Sequence, residues 1–282
     1  TYYQQLADRP LQAGDAVRMV REAAADGYDE VVLVGGDGTL NEGVHGIFEV
    51  LEGAGGSAAR VPILSLVRFG TGGDFARHLG LSGRLPEAVA HLARGRVRAL
   101  DLGVVEYTGL DGRLARRAFA NIASFGLSGE VDEHVNRSKK RLKSASFLLG
   151  MGRALLSYRR PDVTVEVDGE PFFRGPMVTV AVANGTHFGG GMSIARDAQP
   201  DDGLFDVVVQ QRAGVSEFLR LPQLYDGRIA EWTTVATGRG TRVEARPTDP
   251  DVEVLLDVDG EQLGRLPARF ELRRGGFQLR GP

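Results

Sequence analysis

The rhythm of hydrophobic and polar positions changes about a third of the way along the chain. Before residue 95, short continuous apolar runs alternate with helical patterns. Asp15 to Asp26 carries Val17, Met19, Val20 and several alanines as its apolar part and stops before Gly27, which predicts an amphipathic helix. Val31 to Val34 reads as a buried strand. Asn41 to Leu51 sets Val44, Ile47, Phe48 and Leu51 on one helical face. Glycines and alanines from Gly53 to Ala59 predict a loop, Val61 to Val67 a second strand, and Pro86 to Arg94 a helix with proline in its first turn. Strands alternating with helices imply a parallel sheet covered on both faces.

From about Val97 the period shortens. Val97 to Glu106, Arg117 to Ile122, Val163 to Asp168, Met177 to Ala183, Phe205 to Gln210, Thr241 to Ala245 and Val252 to Asp257 predict strands. Most of them alternate, and several are separated by glycine-containing turns. Helical stretches interrupt them at Leu142 to Tyr158 and Val215 to Leu224. Arg269 to Leu279 supplies final strands able to return to the first part of the chain. The expected fold class is therefore α/β: an N-terminal parallel-sheet domain over residues 1–95, and a C-terminal antiparallel β-rich, sandwich-like domain over 96–282.

Composition narrows the chemistry. The 282 residues suffice for two domains, with 42% hydrophobic and 25% charged residues, ordinary values for a water-soluble chain. A net charge of −3 argues against a nucleic-acid partner. The absence of cysteine excludes disulfides, thiolate metal sites and cysteine nucleophiles. No apolar run approaches the ~18 residues of a membrane span, and no signal peptide is visible at the start. The expected location is cytoplasmic, with any lipid reached from the membrane surface.

The densest chemical signal is Val31-Val32-Leu33-Val34-Gly35-Gly36-Asp37-Gly38-Thr39-Leu40-Asn41-Glu42. A strand running through a glycine turn into a helix start presents unpaired N–H groups and the positive helix end to an anion. Gly35, Gly36, Gly38 and Thr39 are the phosphate candidates, and Asn41 is positioned for ribose or phosphate. Asp37 suits Mg²⁺ on the phosphates; the alternative is a cap on the following helix. A second glycine turn, Gly70 to Arg77, follows the second strand, offering Thr71 to phosphate and Asp74 to the metal or acceptor side, unless Asp74 is a helix cap. Two strand ends flanking one crevice is where open α/β sheets bind ligands.

GGDGT with Leu40-Asn41-Glu42 resembles the diacylglycerol kinase catalytic domain, shared by bacterial lipid kinases, sphingosine kinases and ceramide kinases. Gly70-Thr71-Gly72-Gly73-Asp74-Phe75-Ala76-Arg77 is similar to the family's GTxNDFAR element, with Gly73 where the family has asparagine. Asn184-Gly185-Thr186-His187-Phe188-Gly189-Gly190-Gly191-Met192 resembles its NGxxxGGGM element, and Asp201-Asp202-Gly203-Leu204-Phe205-Asp206-Val207 its DDGxLDV element. The resemblance implies an ATP- and Mg²⁺-dependent lipid kinase acting on a lipid hydroxyl such as that of diacylglycerol, with a lipid substrate at the inner membrane face and a homodimer left open. It adds Glu42 to the nucleotide site. It implies a structural Mg²⁺ on Asp202 and the carbonyls of Gln199 and Leu204, a turn that suits a hard cation; the alternative is a solvated turn.

The family's catalytic Asp-Gly-Glu falls at Asp259-Gly260-Glu261. One carboxylate would take the hydroxyl proton while the other positions it or binds Mg²⁺. Asp168-Gly169-Glu170 has the same letters, and Asp-Gly is also an ordinary hairpin turn; motif order selects the second. The family also opens with a strand and an Asn-Pro-x-Ser/Ala-Gly loop, to which the polar stretch Thr1 to Pro10 does not correspond. The basic run Arg137, Lys139, Lys140, Arg141 and Lys143, before an apolar helical stretch, suits an anionic membrane surface. Other readings are an NAD-kinase-like enzyme for a soluble substrate and a non-catalytic lipid- or nucleotide-binding regulator.

Overall fold

The computed structural model describes residues 12, 14–54, 60–69, 73–127, 158–212, 220 and 222–282. The expected Leu142–Tyr158 helix, most of Val215–Leu224, the basic run and Thr71 lie outside them, Tyr158 excepted. The first part comprises α1 (Asp15–Ala25), β1 (Glu30–Gly35), α2 (Asp37–Gly53), β2 (Ile63–Arg68), α3 (Asp74–His78) and α4 (Leu85–Arg94). β1 and β2 pair in parallel, with Gly35 opposite Arg68. Helix α2 starts four residues before the periodicity predicts, because its first turn is made of Asp37, Gly38 and Thr39, which carry no apolar signal.

The second part comprises β3 (Arg96–Gly109), β4 (Leu114–Phe119), β5 (Ile122–Gly126), β6 (Asp162–Val167), β7 (Glu170–Pro176), β8 (Thr179–Ala183), the short β9 (His187–Phe188) and β10 (Met192–Ser193), and β11 (Phe205–Gln210). A short helix α5 (Pro222–Tyr225) follows, then β12 (Val235–Gly240), β13 (Arg242–Pro247), β14 (Leu255–Val258) and β15 (Glu261–Gly281). The strand path is β12-β11-β8-β5-β14-β15-β13-β6-β7. It curls on itself. Val163 and Val165 of β6 share one core with Val207 and Val209 of β11, although the two strands lie near opposite ends of the path. Side chains such as Phe119, Phe125, Phe205 and Phe270 are fully buried there, each contributing roughly 1.5–3 kcal/mol of transfer free energy.

Two departures from the sequence reading matter for the site. The single strand expected over Arg117 to Ile122 is two strands, broken at Ala120-Asn121. The final strands are one 21-residue strand, β15. It pairs antiparallel with β14, β13 and β3, and at Leu279 and Arg280 it pairs in parallel with β2. The chain's last strand thus joins the parallel sheet at Leu64 and Ser65, beside the strand that leads into the second glycine turn.

Asp101, a charge inside the apolar run of β3, is buried and anchors three segments. Its N–H donates to Pro200 O (2.7 Å), and its carboxylate accepts from Gly203 N (2.7 Å) and Gly275 N (2.8 Å). Asp101→Ala leaves two donors without their acceptor, and should cost about 2–4 kcal/mol in urea unfolding. A loss under about 0.5 kcal/mol would show that water substitutes freely for the carboxylate.

Candidate functional site

The glycine turn after β1 is built tightly. A Cβ on Gly35 would overlap Thr39 Oγ1 and lie 2.7 Å from Thr39 Cβ, so only glycine lets the Thr39 side chain fold back over the strand end. Gly36 is the extended N-cap of α2, and Leu40 N–H is the first to reach back, to Gly36 O at 3.1 Å. The N–H groups of Asp37, Gly38 and Thr39 precede it and have no intrahelical acceptor, which leaves the start of a 17-residue helix open to an anion.

Asp37 has another task besides any metal. Its Oδ2 accepts from Phe75 N (3.0 Å) and its Oδ1 from Ala76 N (3.2 Å), so it caps α3 in the second motif, not its own helix. Asp74 repeats the device one motif further on. Its Oδ2 accepts from Gly190 N (2.8 Å) and Gly191 N (3.1 Å), and its Oδ1 lies 3.2 Å from Arg77 Nη1. Besides the metal or acceptor side expected for it, Asp74 thus clasps the triple-glycine loop, and the glycines approach because their amides are the donors.

Two further candidates are turned inward. Asn41 is buried, and with its amide oriented to satisfy both neighbours, Nδ2 donates to Ala118 O (3.3 Å) and Asp259 Oδ2 (3.0 Å). The expected ribose or phosphate contact is replaced by a link to the Asp-Gly-Glu turn. Glu42 accepts from Ala16 N (3.2 Å) and so holds the first turn of α1, away from the glycine turn. Both corrections have one cause: on α2 these residues lie beyond the first turn, where side chains face neighbouring elements.

Asp259 sits at φ 51 in the turn between β14 and β15. Its carboxylate accepts from Ala120 N (3.0 Å), Asn121 N (3.2 Å) and Ile122 N (2.8 Å), the amides freed where β4 breaks from β5. Burial pushes it up from 3.8 to about 6; the three N–H bonds oppose this, and the charge of Asp37 adds to it. Asp168 also sits at φ 51 and accepts from Thr241 Oγ1 (2.9 Å), Thr241 N (3.0 Å) and Arg242 N (2.9 Å). There burial is outweighed by those bonds, and the carboxyl lies below its usual range. The two turns share a backbone device and differ in surroundings. Only Asp259 lies close enough to the first glycine turn to sense Asp37.

Glu261, two residues on, is the more accessible carboxylate, with 42% side-chain exposure, 3.3 Å from Arg117 Nη2. Arg117 also helps burial to lower His45 to about 4, so His45 is neutral and its Nδ1 accepts from Ala118 N at 3.2 Å. Nothing in the apolar pattern marked Arg117, or the amides of Ala120 to Ile122, as parts of a site. Asp101 was detectable as a charge inside a strand, and the NGxxxGGGM element contributes through Asn184, which is buried and donates to Asp101 O and Ala120 O, both at 2.9 Å.

The proposed cation turn fits a metal poorly. Asp202 Oδ1 accepts from Leu204 N (3.0 Å), and its Oδ2 is ion-paired with the Arg239 guanidinium, which also reaches Asp206 Oδ2 at 3.4 Å. The arginine supplies the positive charge that the expected site on Gln199, Asp202 and Leu204 assigned to Mg²⁺. Among the described residues no group of three or more His, Asp or Glu side chains gathers to hold a metal.

The raised Asp259 has a measurable consequence. The folded protein holds this proton more tightly than the unfolded chain does, so the group's contribution to stability falls as pH rises from about 3.8 to about 6 and is constant above. Urea unfolding of wild type and Asp259→Asn over about pH 4 to 8 should show their stability difference declining to about pH 6 and then flat. A difference independent of pH would contradict the buried carboxyl.

Comparisons with known proteins agree with this arrangement. Residues 5–105 match the diacylglycerol kinase catalytic domain, and residues 121–280 match the YegS C-terminal NAD kinase beta sandwich-like domain. The chain is 30% identical over 262 residues to the diacylglycerol kinase of Bacillus subtilis (strain 168), covering 92% of this chain and 79% of that protein. It is 30% identical over 278 residues to the "Probable lipid kinase YegS-like" of Pseudomonas putida, covering 96% and 83%. A solved diacylglycerol kinase structure from Bacillus anthracis str. Sterne has the same fold, with a TM-score of 0.70 at 21% identity over 97% of this chain and 83% of that one. A clasped pair of glycine turns beside an Asp-Gly-Glu hairpin, with family matches over both halves of the chain, makes this protein a kinase of the diacylglycerol kinase family.

Proposed function

We propose that the protein transfers the γ-phosphoryl group of ATP, supplied as its Mg²⁺ complex, to the hydroxyl of a lipid such as diacylglycerol. The observation that supports this most is the link between Asn41 of α2 and Asp259, with Asp37 sensed by the same carboxyl. It brings the Asp-Gly-Glu turn beside the anion-ready start of α2. Phosphates bound at Gly35 to Thr39 would then lie within reach of an alcohol at Glu261.

In this reading Glu261 accepts the hydroxyl proton as the alcohol oxygen bonds to the γ-phosphorus, and the bond from that phosphorus to the bridging oxygen breaks to release ADP. Asp259 is a positioning residue. Its acceptor capacity is spent on three backbone amides and the Asn41 side chain, and it fixes the turn that aims Glu261. Asp37 and Asp74 keep the two glycine turns and the triple-glycine loop in register with it. The lipid is met at a membrane surface; no helix among the described residues is long and apolar enough to cross a membrane, and the basic run from Arg137 to Lys143 offers charge toward anionic headgroups.

Glu261→Gln should lower turnover of ATP with diacylglycerol in mixed micelles by roughly 10²-fold or more, the usual worth of a general base, while nucleotide affinity stays within about two-fold. Asp168→Asn should keep turnover, since its turn joins β6 to β7 and its carboxylate binds only Thr241 and Arg242. Equal turnover by wild type and Glu261→Gln would remove Glu261 from the reaction. Phosphorylation of a soluble dinucleotide in place of lipid would overturn the acceptor.

A further inference from the structure

The second glycine turn departs from the resembling family at Gly73, where an asparagine side chain is missing. Its space is filled. A Cβ built on Gly73 would overlap Arg68 Nη2, lie 2.8 Å from Arg68 Cζ and 3.0 Å from Nε. The Nη2 end of the Arg68 guanidinium thus occupies the space that a side chain at 73 would take, and any larger residue there would push it away. Gly73 is the opening that admits this arginine.

The position of Arg68 gives the guanidinium a use. It is the last residue of β2 and stands opposite Gly35, the last residue of β1. The next residue, Phe69, donates its N–H to Gly35 O at 2.9 Å. Asp37 caps α3 immediately beyond Gly73. Arg68 therefore lies where two parallel strands end, opposite Gly35 of the first glycine turn and against Gly73 at the start of α3. One arm, Nη1, donates to Leu81 O at 3.1 Å, which fixes the plane of the group. Among the described residues it forms no ion pair with a carboxylate, unlike Arg77 nearby, which is held by Asp74. A half-buried guanidinium, anchored on one side and uncommitted to an anion on the other, is a fork suited to phosphate oxygens.

We infer that Arg68 is a phosphate-binding residue of the nucleotide site, and that Gly73 and Arg68 act as a matched pair: the glycine supplies the space and the arginine supplies the donor. This rests on the nucleotide reading above and extends it to a residue outside the recognised motifs. The ligand chemistry is a polyphosphate; the base and ribose take no part in this contact.

The test separates polyphosphate from nucleoside. Calorimetric titration of wild type, Arg68→Ala, Arg68→Lys and Gly73→Asn uses MgATP, inorganic tripolyphosphate and adenosine as probes, alongside thermal melts. Loss of a charge-assisted phosphate contact should weaken MgATP and tripolyphosphate about ten-fold or more in Arg68→Ala. Adenosine affinity should be unchanged, and Arg68→Lys should keep part of the binding. Gly73→Asn should mimic Arg68→Ala by displacing the guanidinium, and the KM for ATP should rise more than kcat falls. Wild-type tripolyphosphate affinity in Arg68→Ala, or an equal loss for adenosine, would overturn the inference by making the residue a strand-end brace for Leu81. If Arg68→Ala does not fold, wild-type affinity in Gly73→Asn overturns it instead. Wild-type protein that binds tripolyphosphate through Arg68 but consumes no ATP with lipid would overturn the kinase reaction above and leave the Arg68 contact standing.

Discussion

A carboxylate withdrawn from water needs donors, and in this protein the donors are backbone amides of a different segment. Asp37 takes two from α3, Asp74 two from the triple-glycine loop, Asp259 three from the break between β4 and β5, and Asp101 two from distant turns. A hydrogen bond to an ionised acceptor is worth more than a neutral one, and leaving either partner unmade inside the protein costs the full desolvation of that group. Each aspartate therefore fixes the distance between two pieces of chain far apart in sequence. Linked in series, the clasps set the glycine turns, the triple-glycine loop and the Asp-Gly-Glu hairpin against one another.

This constraint explains why the motif aspartates are so fully hydrogen-bonded within the protein. A site for a highly charged nucleotide collects glycine turns for their amides, and turns of that kind have no side chains with which to hold one another. Carboxylates that bind the amides facing away from the ligand supply the missing cohesion. The same logic covers Arg68, whose guanidinium occupies the space left by the absent side chain of Gly73.

β15 does for the two halves of the chain what the carboxylates do for the turns. It begins at Glu261, in the Asp-Gly-Glu hairpin, and ends at Gly281 after pairing with β2, the strand that carries Arg68. One continuous strand thus ties the candidate base to the candidate phosphate site. Its long pairing with β3 shifts register between Arg273 and Phe277, where Asp101 accepts from Gly275 N.

The sequence by itself determined the local elements and the family. Continuous apolar runs, helical spacing and glycine turns act within a few residues, so β1, α1, α4 and β11 were legible almost to their ends, as was the change from parallel α/β to antiparallel β. The motif letters marked Gly35 to Thr39, Asp74, Asn184 and Asp259 before any geometry. Tertiary structure alone decided what those residues touch. Asn41 and Glu42 face inward, Asp37 caps a helix that is not its own, Asp202 is met by Arg239, and the strand expected through Ala120 and Asn121 breaks to satisfy Asp259. These outcomes depend on partners 26 or more residues away, and no periodicity within a segment reports which distant amide or guanidinium will fold against it.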